Sequence, residues 1–118
     1  MTEITTTLND FLVDTKSTAA LIVNGKGKLI TSLNIDYGDS IAAMSAAILS
    51  ISEKFLADLE KGVLKQLYLK TSDGVVVGNK ISGSNFIVAF SKEGSNLALL
   101  MRSLEEVSAE LSKNSLLK

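Results

Sequence analysis

The sequence predicts an α+β domain in the order α-β-β-α-β-β-β-α, built on a largely antiparallel sheet. Three observations predict it. Apolar residues recur at helical spacing in three separate segments. Short glycine-bearing connections divide the β-like runs. Two of those runs are apolar at every position instead of at alternate ones.

Residues 3–14 set Ile4, Leu8, Phe11 and Leu12 at i, i+4, i+7 and i+8, one face of a first helix. Its β-branched Thr residues make it weak by propensity, so it depends on tertiary packing. Thr18–Val23 is a continuous apolar run that ends at Asn24-Gly25-Lys26-Gly27, where two glycines suit a tight hairpin. Leu29, Thr31 and Leu33 alternate with their neighbours in the returning strand.

Residues 39–60 carry the strongest helical signal. Asp39 or Ser40 is placed to cap the segment, and Gly62 to stop it. Ile41, Met44, Ile48, Ile51, Phe55 and Leu59 form one broad apolar stripe, which is read as the core face. Ala43, Ala46, Ala47, Ser50 and Ala57 occupy positions where a solvated helix ordinarily carries Lys and Glu.

Strands follow at 63–71, 75–81 and 86–91, joined by turns at Ser72-Asp73-Gly74 and Ser82-Gly83-Ser84-Asn85. A last helix, Leu97 to Leu111, has Leu97, Leu100, Met101, Leu104, Val107 and Leu111 on one face. Residues 112–118 read as a frayed tail, with Leu116 and Leu117 free to dock on a partner.

Strand composition orders the sheet. Ala20-Leu21-Ile22-Val23 and Phe86-Ile87-Val88-Ala89-Phe90 are apolar on both faces, so strands one and five are central and covered on both sides. The third strand carries Lys65 on one face and Lys70 on the other, which suits an edge.

With 118 residues the chain is read as a single domain spanning 1–118. Hydrophobic residues make up 46% and charged residues 21%, a globular balance, and the net charge of −1 gives no reason to expect nucleic-acid binding. There is no Cys and no His. Disulfides, thiolate chemistry and the commonest general base and metal ligand are therefore excluded, and neither a catalytic constellation, a cofactor nor a metal is expected. Asp36, Asp39 and Asp73 are read as cap and turn residues, since they do not make a full cation ligand set. Gly25-Lys26-Gly27-Lys28 lacks Walker spacing and joins two strands, so it is a hairpin turn and not a phosphate loop. No uninterrupted apolar run is long enough to span a membrane, and MTEITTTLND lacks the basic and apolar regions of a signal peptide. The expectation is a cytoplasmic protein without a transmembrane segment.

Ala20-Leu21-Ile22-Val23 with Gly25-Lys26-Gly27-Lys28-Leu29-Ile30, the Ala-rich Ile41-Ala42-Ala43-Met44-Ser45-Ala46-Ala47-Ile48, Asp73-Gly74-Val75-Val76-Val77, and Ser95-Asn96-Leu97-Ala98-Leu99-Leu100 occur in an order and spacing that resembles the Roadblock/dynein light chain family. The resemblance covers nearly the whole chain. It implies a five-stranded antiparallel sheet of order 2-1-5-4-3, with the second helix on one face and the first and third on the other. It also implies a dimer, with itself or with a related Roadblock protein, whose third strands pair edge to edge and whose second helices lie side by side. The implied function is non-catalytic: binding and regulating a Ras-like small GTPase, as an activator or a scaffold.

The expected interface is the small-residue stripe Ala43, Ala46, Ala47, Ser50 and Ala57, with Val63, Lys65, Leu67 and Leu69 of the third strand. Lys65 and Lys70 argue against edge pairing, and the intervening apolar residues argue for it. Arg102 is the only arginine. It falls on the polar side of the last helix, four residues before Glu106, and is read as half of a surface ion pair, not as an arginine finger. Two alternatives stand beside this reading. One is a small-molecule sensor, which requires a cavity lined by Asn or Tyr, and the other is a structural subunit of a larger assembly.

Overall fold

Local side-chain bonds build the hairpins. β1 (Ala19–Asn24) and β2 (Leu29–Leu33) are joined by a turn that Asn24 organises. Its Oδ1 accepts from the backbone N–H of Lys26 at 2.9 Å and of Lys28 at 3.0 Å. Between β3 (Gln66–Lys70) and β4 (Gly74–Ser82), Thr71 Oγ1 accepts from the N–H groups of Asp73 and Gly74. Gly74 is obligatory here, because a Cβ would overlap the carbonyl oxygen of Ser91. β5 (Asn85–Lys92) returns antiparallel to β4. The computed structural model describes residues 2–92 and 96–117, so Ser95 lies outside the described residues.

β1 pairs with both β2 and β5, and the five strands run in the order β2-β1-β5-β4-β3. The two strands that are apolar on both faces are therefore central, as their composition demands. Helices α1 (Thr2–Thr15) and α3 (Leu97–Leu111) cover one face of the sheet. Ile4, Leu8, Phe11, Leu100, Leu104 and Leu111 there meet Ile22, Val77 and Ile87. Helix α2 (Gly38–Asp58) covers part of the other face, where Ala42, Ala46 and Leu49 meet Leu21, Val23, Phe86 and Val88. The third strand is shorter than the spacing predicts: it begins at Gln66, so Val63 and Lys65 precede it.

The helix ends differ in part from expectation. Neither Asp39 nor Ser40 caps α2. The helix instead follows Tyr37, which adopts left-handed geometry (φ 58, ψ 42) and makes no side-chain capping bond. At the other end Glu60 N–H bonds Ala57 O and Lys61 N–H bonds Leu56 O, both at 3.0 Å, a Schellman closure. Its left-handed residue is Glu60 (φ 56), two positions before the expected Gly62. Helix α1 closes the same way through Lys16 (φ 57), with Ser17 N–H bonded to Leu12 O. Helix α3 is capped by Asn96, whose Oδ1 accepts from Leu99 N–H at 3.0 Å.

The segment after α3 is not a frayed tail. A 3-10 turn at Ser115–Leu117 carries Leu117 into the α1–α3 core, where it is fully buried. Its carbonyl accepts from Ser82 Oγ and from Asn85 Nδ2, at 2.8 Å for the latter. Leu117 is thus unavailable to a partner, whereas Leu116 is exposed.

Candidate functional site

Helix α2 is apolar on more than one side, and its orientation decides which side is offered outward. Ala42, Ala46 and Leu49 point into the sheet, and Ile41 and Leu56 pack beside them. Ile48, Met44, Ile51, Phe55 and Leu59, the stripe expected in the core, are instead exposed, Ile51 by 70% and Phe55 by 61%. The reason is close approach. Small residues let the helix axis come near the strands, and Gly78 on β4 lies under Leu49, so that a Cβ there would sit 3.3 Å from Leu49 Cδ2. Larger residues on the inner side would hold the helix off.

The small-residue positions therefore divide. Ala46 is 4% exposed and belongs to the core, which removes it from any outward-facing surface. Ala43, Ala47, Ser50 and Ala57 are exposed. Ala43, Ala47 and Ser50 flank a shallow groove whose other wall is the β1–β2 turn. Gly27 (φ +89) makes that approach possible, since a Cβ built on it would stand 3.4 Å from Ala43 Cα. Part of the stripe thus has an intramolecular explanation: it lets the hairpin turn pass close to the helix.

On the opposite flank of α2 an apolar groove continues onto the sheet, floored by Leu67, Leu69, Val76, Gly78 and Val88 beside Ile48 and Leu49. Leu67 and Leu69 share this face of β3, whereas Gln66 on the other face donates from Nε2 to Met101 O at 3.0 Å. Val63, Lys65 and Leu69 are exposed and Leu67 is half-buried, while neighbouring Leu64 is buried. Ile48 of the outer stripe borders this groove, and exposed Leu69 carries its apolar floor onto β3, between the exposed Lys65 and Lys70.

By length and composition α2 is also long and apolar enough to cross a membrane, a property hidden from a search for uninterrupted apolar runs. Its inner face is nonetheless built into the sheet.

The expected Arg102–Glu106 ion pair is absent among the described residues, where the pair within 4 Å joins Lys80 to Glu53 at 3.5 Å, from β4 to α2. Arg102 is exposed on α3. Among the described residues no group of three or more His, Cys, Asp or Glu side chains is placed to hold a metal. Asp36, Asp39 and Asp73 are all exposed.

A Roadblock/LC7 domain pattern matches residues 4–90 of the chain. The chain belongs to the Roadblock/LC7 domain family. Solved structures share the architecture of this Roadblock chain. MglB of Myxococcus xanthus superimposes with a TM-score of 0.90 at 18% identity, covering 96% of this chain and 94% of that one. The gliding protein MglB of Thermus thermophilus gives 0.85 at 14% identity, covering 92% and 85%. An MglB with a tetrameric arrangement gives 0.86 at 13% identity, covering 93% and 85%. No curated protein matches the chain in sequence at a significant level.

Proposed function

We propose that this Roadblock domain dimerises through the outer face of α2 and the edge of β3, and that the dimer binds and regulates a Ras-like small GTPase. The observation that carries the dimer is the exposed stripe Met44, Ile48, Ile51 and Phe55, continuous with the uncovered apolar floor at Leu67 and Leu69. A second copy brings an identical stripe and an identical β3 edge, so a two-fold arrangement covers both at once. Self-association of an MglB, described in a tetrameric arrangement, agrees with a family that uses its own surfaces for assembly.

GTPase binding rests on the family. The chain itself lacks His and Cys, and its sole arginine lies on α3, across the sheet from α2. A Roadblock dimer of this composition acts by binding. If it accelerates hydrolysis, it does so by positioning the GTPase's own groups, without supplying an arginine finger.

Two measurements test the reading. Sedimentation equilibrium across micromolar concentrations is expected to return the dimer mass; a monomer at tens of micromolar refutes the pairing. Calorimetric titration against Ras-like GTPases, loaded in turn with GDP and a non-hydrolysable GTP analogue, is expected to show nucleotide-dependent binding. Absence of binding in both states refutes the regulatory reading.

A further inference from the structure

We infer that the open edge of β3 is complementary to itself in one register, so that it selects a second copy of this chain and sets Tyr68 on the two-fold axis. This register rests on the α2–β3 pairing proposed above and gives that pairing its partner and its alignment. The two edges of the sheet differ. β2 meets β1 with a register shift between Ile22 and Val23, an irregularity of the kind that blunts an edge. β3 meets β4 without a shift, from Gln66 with Asn79 through Lys70 with Val75. Its outer side is therefore a regular template for another strand.

The bonds to β4 reveal which backbone groups this template offers. Thr71 N–H donates to Gly74 O at 2.8 Å, and Lys80 N–H donates to Lys65 O at 3.3 Å. Both pairs continue the register of the strand, and bonded and non-bonded pairs alternate along an antiparallel ladder. Leu67 and Leu69 therefore turn their N–H and C=O groups towards Gly78 and Val76. Gln66, Tyr68 and Lys70 turn theirs towards the open edge. Side chains alternate too: Leu67 and Leu69 line the groove beside α2, and Gln66 bonds to α3 on the opposite face.

A second copy makes ladder bonds only where outward groups meet outward groups, and each such pair exchanges two bonds. With the axis at Tyr68, Gln66 meets Lys70, Tyr68 meets Tyr68 and Lys70 meets Gln66 across the two copies, so every outward residue of the strand is used. An axis at Leu67 leaves Lys70 outside the paired strands, and an axis at Leu69 leaves Gln66 outside. The leucines choose the same alignment. With the axis at Tyr68, Leu67 stands opposite Leu69 on either side of it, at non-bonded positions where Cα atoms approach to roughly 4.5 Å. An axis at Leu67 sets Leu69 against Lys65, and an axis at Leu69 sets Leu67 against Thr71. The lysines are tolerated about Tyr68, since Lys70 faces a neutral amide and Lys65 faces Thr71, and no two ammonium groups are opposed. Gln66-Leu67-Tyr68-Leu69-Lys70 thus reads polar-Leu-Tyr-Leu-polar in either direction, which is what a two-fold axis asks of an edge. A strand without that spacing forfeits the leucine pairs.

The test separates the register from the pairing on which it rests. A monomer in sedimentation equilibrium at tens of micromolar refutes both, whereas a dimer with another pattern refutes the register alone. In the dimer, amide hydrogen exchange is followed by NMR on the unaltered chain above and below the dissociation constant. The amides of Gln66, Tyr68 and Lys70 are expected to slow at least tenfold on dimerisation, and those of Leu67 and Leu69, already bonded to β4, by a smaller factor. A dimer in which Lys70 exchanges as fast as in the monomer puts the axis at Leu67, and one in which Gln66 does so puts it at Leu69; either overturns the proposal. Disulfide formation is the second readout, and the chain has no Cys of its own. Leu67→Cys and Leu69→Cys, mixed, allowed to exchange subunits and oxidised, are expected to link at least tenfold faster than either variant alone. Directly opposite positions lie within bridging reach, and the diagonal separation of roughly 7–8 Å exceeds it. Rapid self-linking of either variant overturns the register, and if the variants do not dimerise, exchange on the unaltered chain decides. Mixed with a Roadblock chain whose third strand lacks the Leu-Tyr-Leu spacing, the protein is expected to keep its homodimer in at least tenfold excess; a majority of mixed dimers overturns the self-selection.

Discussion

Replacing Phe55 by Ala separates the two roles that an apolar helix face can play. Phe55 is 61% exposed. A fully covered aromatic side chain buries roughly 150–250 Å², so about 100–150 Å² remains for a partner to cover. At about 25 cal/mol per Å² that area is worth roughly 3 kcal/mol in each copy. A two-fold interface contains the residue twice, which sets an upper bound near 6 kcal/mol per dimer. Incomplete coverage brings the expected loss to about 3 kcal/mol, a rise in the dimer dissociation constant of roughly 100-fold. The folded monomer should be almost indifferent, within about 0.5 kcal/mol, since the substitution removes little internal packing and alanine favours the helix. Leu49→Ala is the control on the same helix: at 2% exposure it should cost the monomer about 2–5 kcal/mol. Sedimentation equilibrium gives the dissociation constant, and urea melts below that concentration give the monomer's stability. If Phe55→Ala leaves dimerisation unchanged, or destabilises the monomer as Leu49→Ala does, the assignment of the outer face is wrong.

Other substitutions probe single features. Ala46→Leu overpacks the contact between α2 and the sheet and should cost about 1–3 kcal/mol in a thermal or urea melt, whereas Ala47→Leu, on the exposed side, should change stability by about 0.5 kcal/mol or less. Glu60→Gly relieves a left-handed residue at φ 56 in the Schellman closure and should raise stability by up to about 1 kcal/mol, read from the urea midpoint at constant slope. Leu117→Ala empties a fully buried position and should cost about 2–5 kcal/mol, even though it lies beyond Leu111, where α3 ends; a negligible effect would show that the last turn does not contribute to the core.

Element order, the hairpins and the strand order were legible from the sequence, because central and edge strands carry different patterns. Val23 and Ile22 are both buried although neighbours in a strand point to opposite faces, and a run like theirs fits only a doubly covered strand. The orientation of α2 was not legible. Periodicity assigns the inner side to the larger apolar stripe, but this helix turns Ala42 and Ala46 inward because axis-to-sheet distance is set by the smallest side chains at the contact. Once Met44, Ile48 and Phe55 face outward, the expected core stripe becomes surface, and Ala46 of the expected interface becomes core. The late start of β3 at Gln66 was equally hidden, because the boundaries of short strands are weakly encoded. The burial of Leu117 depends on bonds from Ser82 and Asn85, more than thirty residues away, which no local pattern reveals.

The pairing of β1 with β5 also governs how the chain reaches its native state. Its partners, Ala19 with Phe90 through Asn24 with Asn85, stand 61 to 71 residues apart. The β1–β2 and β3–β4 hairpins and the three helices close short loops and form on microsecond timescales. The strand at the centre of the sheet must wait for the slow closure of a long loop. Until that closure, Leu21, Ile22 and Val23 have lost their flanking partner on one side, and the chain is at its most adhesive while the last third is still being made. Expression temperature and chain concentration should therefore limit the yield of soluble protein more strongly than the stability of the finished fold does.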